Sequence, residues 1–131
     1  MDFIKWEEKY STGLEVIDEQ HRQLFVLMNN FIGNFSQASR GEIRATLEAL
    51  AEYAAYHFRS EEQFLAKHPE LADHQREHAI FLKKIEGFHQ AYDAQREDLS
   101  LALVQFLLSW LKNHILTTDL HTFREMWGVG V

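Results

Sequence analysis

Between His57 and His78 the chain sets histidines and a carboxylate at helical spacing: His57-Phe-Arg-Ser-Glu61, a break at Lys67-His68-Pro69-Glu70, then His74-Gln-Arg-Glu-His78. A four-residue step overshoots one α-helical turn by about 40°, so each pair points its side chains to one side. Four groups able to bind a metal thus come from two helices joined by a tight turn. His21 and His114 are further candidates, and Asp119 a less direct one. The chain has no cysteine, which removes disulfides, thiolate nucleophiles, zinc knuckles and iron–sulfur clusters. Any metal must take nitrogen and oxygen ligands, which suits iron, copper, manganese or zinc.

The surrounding pattern supplies the elements that would position these groups. Residues 1–16 read as an extended arm whose Trp6 and Tyr10 cover the core, with a turn at Ser11-Thr12-Gly13. A first helix starts at Asp18 as N-cap, and Ile17, His21, Leu24, Phe25, Met28, Phe31, Ile32 and Phe35 share one face. Ser36 to Gly41 is a break, with Ser39 able to cap the next helix. That helix carries Ile43, Leu47, Leu50, Ala51, Ala54, His57, Phe58, Glu61, Phe64 and Leu65 on its inner face. Pro69 suits the first turn of a third helix, where its missing N–H has no helical partner anyway. Leu71, His74, His78, Phe81, Leu82, Ile85 and Phe88 make the inner face there, whereas Glu77 and Lys83-Lys84 read as solvated. Glu62, about 100° round from Glu61, also reads as solvated, and His68 and His89 read as surface histidines.

Tyr92 to Ser100 is polar enough to be a third loop. A last helix then runs through Leu101, Val104, Leu107, Leu108, Leu111, His114 and Ile115 and ends near Thr117-Thr118-Asp119. The tail from His121 to Val131 keeps enough pattern (Phe123, Met126, Trp127) for a short docked helix. The expected fold is all-α: a single domain over residues 1–131, built as an antiparallel up-down-up-down four-helix bundle with an N-terminal arm and a short C-terminal helix.

Topology then brings the polar groups together. His21 opens the first helix, His57 and Glu61 close the second, His74 and His78 open the third, and His114 closes the fourth. In alternating helices all of these lie at one end. Without a cation, five buried imidazoles and their carboxylates would each need hydrogen-bond partners, and no inward Lys or Arg neutralises the acids. One ion rarely takes more than six ligands, so this surplus fits a pair of metals with bridging carboxylates and one open coordination position. Asp119 is five residues after His114, about 140° round an ideal helix, so spacing selects it only if the helix end is distorted or overwound.

Composition narrows the partners. A net charge of −7 argues against nucleic acid, whose binders need a basic patch. The first residues lack the apolar run of a signal peptide, and no window reaches the roughly 18 apolar residues of a membrane span. A soluble, cytoplasmic, monomeric protein is the expectation.

The pattern His21, His57-x-x-x-Glu61, His74-x-x-x-His78, His114-x-x-x-x-Asp119 resembles the hemerythrins, in particular the single-domain bacteriohemerythrins. Ile17-Asp18-x-Gln20-His21, His57-Phe58-x-x-Glu61-Glu62 and Trp110-x-x-x-His114-Ile115 are also similar to that family's surroundings. The resemblance covers nearly the whole chain, and myohemerythrin exemplifies the up-down bundle. It implies a non-haem di-iron centre of two iron ions, Fe2+ or Fe3+, with an oxo or hydroxo bridge. His74, His78 and His114 would fill one iron, His21 and His57 the other, and Glu61 and Asp119 would bridge them. Dioxygen would bind reversibly at the two-histidine iron, within an apolar lining of Leu24, Phe25, Phe58, Phe81, Trp110 and Ile115. The implied role is oxygen storage, transport or delivery to an oxygen-consuming enzyme, not catalysis. Leu65-Ala66-Lys67-His68-Pro69 departs from the methionine and tyrosine often found there in the family.

Two other classes compete. Di-iron oxidases favour glutamates and paired Glu-x-x-His motifs, of which this chain has one match, Glu86-Gly-Phe-His89, at the wrong end of its helix. Slow peroxide consumption and NO binding stay in view. A regulatory module is the other class: phosphotransfer needs one exposed histidine rather than five convergent ones, and an oxygen or NO sensor would share the site itself.

Overall fold

A computed structural model describes residues 4–34, 40–93 and 100–127, and among them every regular element is helical. Four long helices follow one another: α1 Glu15–Asn34, α2 Arg40–Phe64, α3 Leu71–Asp93 and α4 Ser100–Asn113. A π-helical turn, His114–Asp119, continues α4 into α5, Leu120–Trp127. In the antiparallel bundle α1 packs on α2, α2 on α3, α3 on α4, and α5 folds against the π turn. The expected loops at Ser36 to Ser39 and at residues 94–99, the proposed Ser39 cap, Phe35 and the last four residues lie outside the described residues. Arg40, Gly41, Tyr92, Asp93 and Ser100, expected in breaks, are helical.

The apolar stripes meet as anticipated. Leu24, Met28, Phe31, Leu47, Leu50, Ala54, Phe81, Leu107 and Leu111 are fully buried in one cluster that fills the middle and far end of the bundle. A smaller cluster of Ile17, Leu65 and Phe123 closes the other end. Phe64 departs from its expected inner position: it is 38% exposed and meets Trp127 edge-on at 5.7 Å.

Asp18 is not the N-cap expected of it. α1 starts earlier, at Glu15, and Asp18 is buried within its first turn. Its carboxylate accepts hydrogen bonds from the Thr12 N–H (2.8 Å), the Thr12 hydroxyl (2.7 Å) and the Ser11 hydroxyl (2.7 Å). Asp18 therefore anchors the arm, which turns into α1 at Gly13, whose φ of 92° favours glycine. The arm is held elsewhere too. Ile4 exchanges two hydrogen bonds with the Asn29 side chain, and Arg124 of α5 donates to the carbonyls of Lys9 and Ser11. Trp6 and Tyr10 pack on Phe25 and cover the core, as expected.

The α2–α3 turn is tight. The Leu71 N–H bonds to the His68 carbonyl, and the Glu70 N–H bonds to His68 Nδ1 (3.0 Å). His68 thus caps α3, with Pro69 in the turn just ahead of the helix rather than in its first turn. This turn fixes the separation of His57 and Glu61 from His74 and His78.

Candidate metal centre

All seven predicted groups converge, and all seven are buried: His21 on α1, His57 and Glu61 on α2, His74 and His78 on α3, and His114 and Asp119 on the π turn. The π turn explains how Asp119 arrives. The Leu120 N–H bonds back to the Ile115 carbonyl, five residues earlier, so the backbone is wider than an α-helix. In such a turn residues five apart lie near one another on the same side. Asp119 therefore comes round beside His114, with its Oδ1 3.1 Å from His114 Nε2. The distortion is an underwinding, not the overwinding considered from the sequence.

The donor atoms form two overlapping groups, Glu61 with His74, His78 and His114, and Glu61 with His21, His57 and Asp119. Glu61 belongs to both. Its Oε1 is 3.1 Å from His78 Nε2 and 3.3 Å from His57 Nε2, and its Oε2 is 3.6 Å from His21 Nε2. Asp119 also reaches both sides: Oδ2 is 3.0 Å from His21 Nε2, while Oδ1 faces His114 and, at 3.6 Å, His74 Nδ1.

Partners behind the rings fix which nitrogen faces inward. His78 Nδ1 donates to Glu62 Oε2 (2.8 Å) and His114 Nδ1 to Glu77 Oε1 (3.1 Å), because a carboxylate only accepts. His57 Nδ1 donates to Gln20 Oε1 (2.7 Å), whose amide nitrogen donates to Ser60. The Thr122 hydroxyl spends its proton on Glu70 Oε2 (3.0 Å), so it accepts from His74 Nε2 (3.1 Å). In its neutral form each of these four rings turns a bare nitrogen lone pair to the centre, the form in which imidazole ligates a metal.

Glu62 and Glu77, read from the sequence as solvated, are instead partly buried and directly bonded to two of the five histidines. Helical spacing marks none of Gln20, Glu70 and Thr122 for such a role. The signal available for the two acids was adjacency: each directly precedes or follows a site residue, on the shoulder of the helix that faces its neighbour. His68 is mostly buried, not a surface residue; it lies near Glu70 and Glu125, and these three make a further small group of donor atoms. His89 sits 3.8 Å from Glu48, away from the centre.

The centre is built for positive charge. His78 Nε2 and His114 Nε2 lie 3.1 Å apart, and in the neutral rings both are acceptors. Apart from their contacts with one another, the His21 and His57 inner nitrogens, His74 Nδ1, and both oxygens of Glu61 and of Asp119 are buried with no hydrogen-bond partner among the described residues. Orphaned buried acceptors at this density are costly unless a cation joins them. Burial opposes charge on His21, but Asp119 and Glu61 outweigh it and raise its pKa to about 9. His114 is likewise raised: burial acts against its charge, and the Asp119 carboxylate overcomes it. Burial prevails at His57 and His74, whose pKa values fall. Glu61 is held well below the usual carboxylate range, since the surrounding imidazoles more than offset its burial. The nitrogen and oxygen donors, and the absence of an internal Lys or Arg among these contacts, fit two cations.

Of the six residues expected to line an oxygen pocket, Leu24, Phe25, Phe58, Phe81 and Ile115 are buried and Trp110 is partly buried. Phe58 stacks on His78 (4.0 Å between ring centres) and Trp110 on His114 (4.5 Å), with Phe81 against both aromatics. Phe81 and Trp110 therefore lie on the three-histidine side, whereas Phe58 also meets His57, at 5.7 Å. Phe25 meets Trp6 and Tyr10 of the arm.

The family described as Hemerythrin HHE cation binding domain matches residues 12–125. A bacteriohemerythrin of Clostridium acetobutylicum is 31% identical over 121 residues, covering 87% of this chain and 94% of its own. A hemerythrin-like protein of Naegleria gruberi is 30% identical over 119 residues, covering 89% of this chain and 88% of its own. A solved wild-type hemerythrin superposes with a TM-score of 0.83 at 26% identity, over 91% of this chain and 94% of that one. With its buried histidines and shared acids in an up-down bundle, the chain belongs to the hemerythrin HHE cation-binding family.

Proposed function

We propose that this protein binds dioxygen reversibly at a centre of two iron ions, for storage, transport or delivery to an oxygen-consuming enzyme. In this reading His74, His78 and His114 hold one iron, His21 and His57 hold the other, and Glu61 and Asp119 bridge them. The observation that carries it is that Glu61 belongs to both donor groups and Asp119 reaches imidazoles of each, while most inner atoms of the two groups have no other hydrogen-bond partner among the described residues. The relatives named bacteriohemerythrin support it. When bound, such a pair of irons supplies two electrons and an open position for a small ligand.

The residues of the chain do the rest. The two-histidine side supplies one imidazole fewer, so an iron held there would have room for a small ligand. Leu24 lies one turn beyond His21 and Ile115 next to His114, both with no solvent exposure, and they exclude water. A dry, apolar surrounding disfavours the escape of a charged reduced-oxygen product. Phe58 and Trp110, stacked on His78 and His114, hold those rings in place. Five histidines rather than paired Glu-x-x-His motifs favour binding over oxidase chemistry.

The test is an iron count with optical spectra under air and after its removal. Two irons per chain and a coloured oxygenated form that bleaches and returns support the carrier. A lone zinc, or rapid irreversible oxidation with turnover of a substrate, replaces it.

A further inference from the structure

The two histidine groups differ in what stands behind them. On the three-histidine side every imidazole is backed by a carboxylate: Glu62 behind His78, Glu77 behind His114, and Glu70 behind His74 through the Thr122 hydroxyl. These acids keep contact with water, their side chains being 27%, 35% and 39% exposed. On the two-histidine side His57 is backed by the neutral amide of Gln20, and His21 Nδ1 is buried with no hydrogen-bond partner among the described residues. A carboxylate accepting the outer N–H makes an imidazole more basic and more firmly oriented, and losing such a partner lowers metal affinity about 10- to 100-fold.

We infer that the two metal positions are unequal by construction, the three-histidine position being the tight, resident site and the two-histidine position the weak, exchangeable one, with Glu62, Glu77 and Gln20 setting the difference. This rests on the two-ion reading above. Ligand number acts in the same direction, since one side has three imidazoles and the other two. The weak position then coincides with the side left open to small molecules. Glu61 and Asp119, which also stand beside the three-histidine group, would keep the centre assembled while the weak position exchanges.

The experiment uses the iron-loaded chain under anaerobic conditions at one fixed pH. Excess ferrous chelator is added, and the two-iron, one-iron and iron-free forms are followed by native mass spectrometry. A one-iron form is expected to accumulate. Glu77→Gln and Glu62→Gln keep the size and an acceptor oxygen but remove the charge; each should speed loss of the second iron about tenfold and leave the first nearly unchanged. Gln20→Glu should do the reverse, slowing loss of the first iron by a similar factor. Simultaneous loss of both irons, or faster loss of the first iron alone in Glu77→Gln, overturns the inference. A chain with fewer than two irons before chelator is added overturns the di-iron reading itself, and this inference with it.

Discussion

At the far end of the bundle Phe31, Leu47, Leu50 and Phe88 fill the space between the helices with hydrocarbon and rings. At the other end five imidazoles and two carboxylates occupy the same kind of space. The same helices pass through both. The far end is satisfied by removing apolar surface from water, at about 25 cal/mol per Å². The near end gains nothing comparable from its polar atoms, because many of its buried acceptors face one another. Cohesion of the fold and capacity for metal are thus lodged in different halves of each helix, and they should fail separately.

Substitution at Glu61 makes the largest break. Glu61 is the one carboxylate within both donor groups, so Glu61→Ala should take metal content from two ions per chain to well below one, read by elemental analysis. Leu47→Ala at the far end should do the opposite. It should cost about 2–5 kcal/mol of stability, as cavity formation at a fully buried leucine does, yet leave the metal content at two. Chemical denaturation of both variants checks the pair; loss of metal in Leu47→Ala would merge the two ends into one unit.

Removing the metal from the unaltered chain should come next in size. A ligand present at a hundred times its dissociation constant adds about 2.7 kcal/mol per site to the folded state. Chelation should withdraw a contribution of that order and loosen one end alone. Hydrogen exchange should quicken around His57 to Leu65, His74 to His78 and the π turn, and stay slow around Phe31 and Leu47. Uniform quickening along α1 and α2 would contradict the division.

The sequence carried more of one kind of information than of the other. The stripes of Leu24, Met28 and Phe31 and of Leu47, Leu50 and Ala54 repeat at helical spacing, so the bundle and the end at which His21, His57, Glu61, His74, His78 and His114 meet could be read from order alone. Asp119 resisted, because the arithmetic assumed an α-helix where the backbone forms a π turn. Family resemblance chose Asp119, and the wider turn gives the physical reason. Asp18 misled because an acid near a helix start is read as a cap, whereas this one accepts three bonds from the arm. Glu62 and Glu77 were misread for a different reason. Position round one helix tells whether a residue faces the axis of the bundle, but not whether it leans against the neighbouring helix at the shoulder. Thr122 could not be placed at all until the path of α5 was known.

The smallest effect sharpens the comparison most, because it separates positioning from ligation. Thr122 touches no inner atom of the centre; its hydroxyl stands between His74 and Glu70. Thr122→Val keeps the shape and removes the acceptor, leaving the outer N–H of His74 buried and unmatched, at a cost of about 1–3 kcal/mol. With that bond gone, the tautomer that bares the inner nitrogen is no longer favoured, and iron affinity should fall about tenfold. Thr122→Ser retains the hydroxyl and should restore the affinity despite the lost methyl group. An equal loss in the serine variant would mean that α5 supports the centre by packing alone, through the buried methyl and Phe123, and that the hydrogen bond behind His74 contributes little.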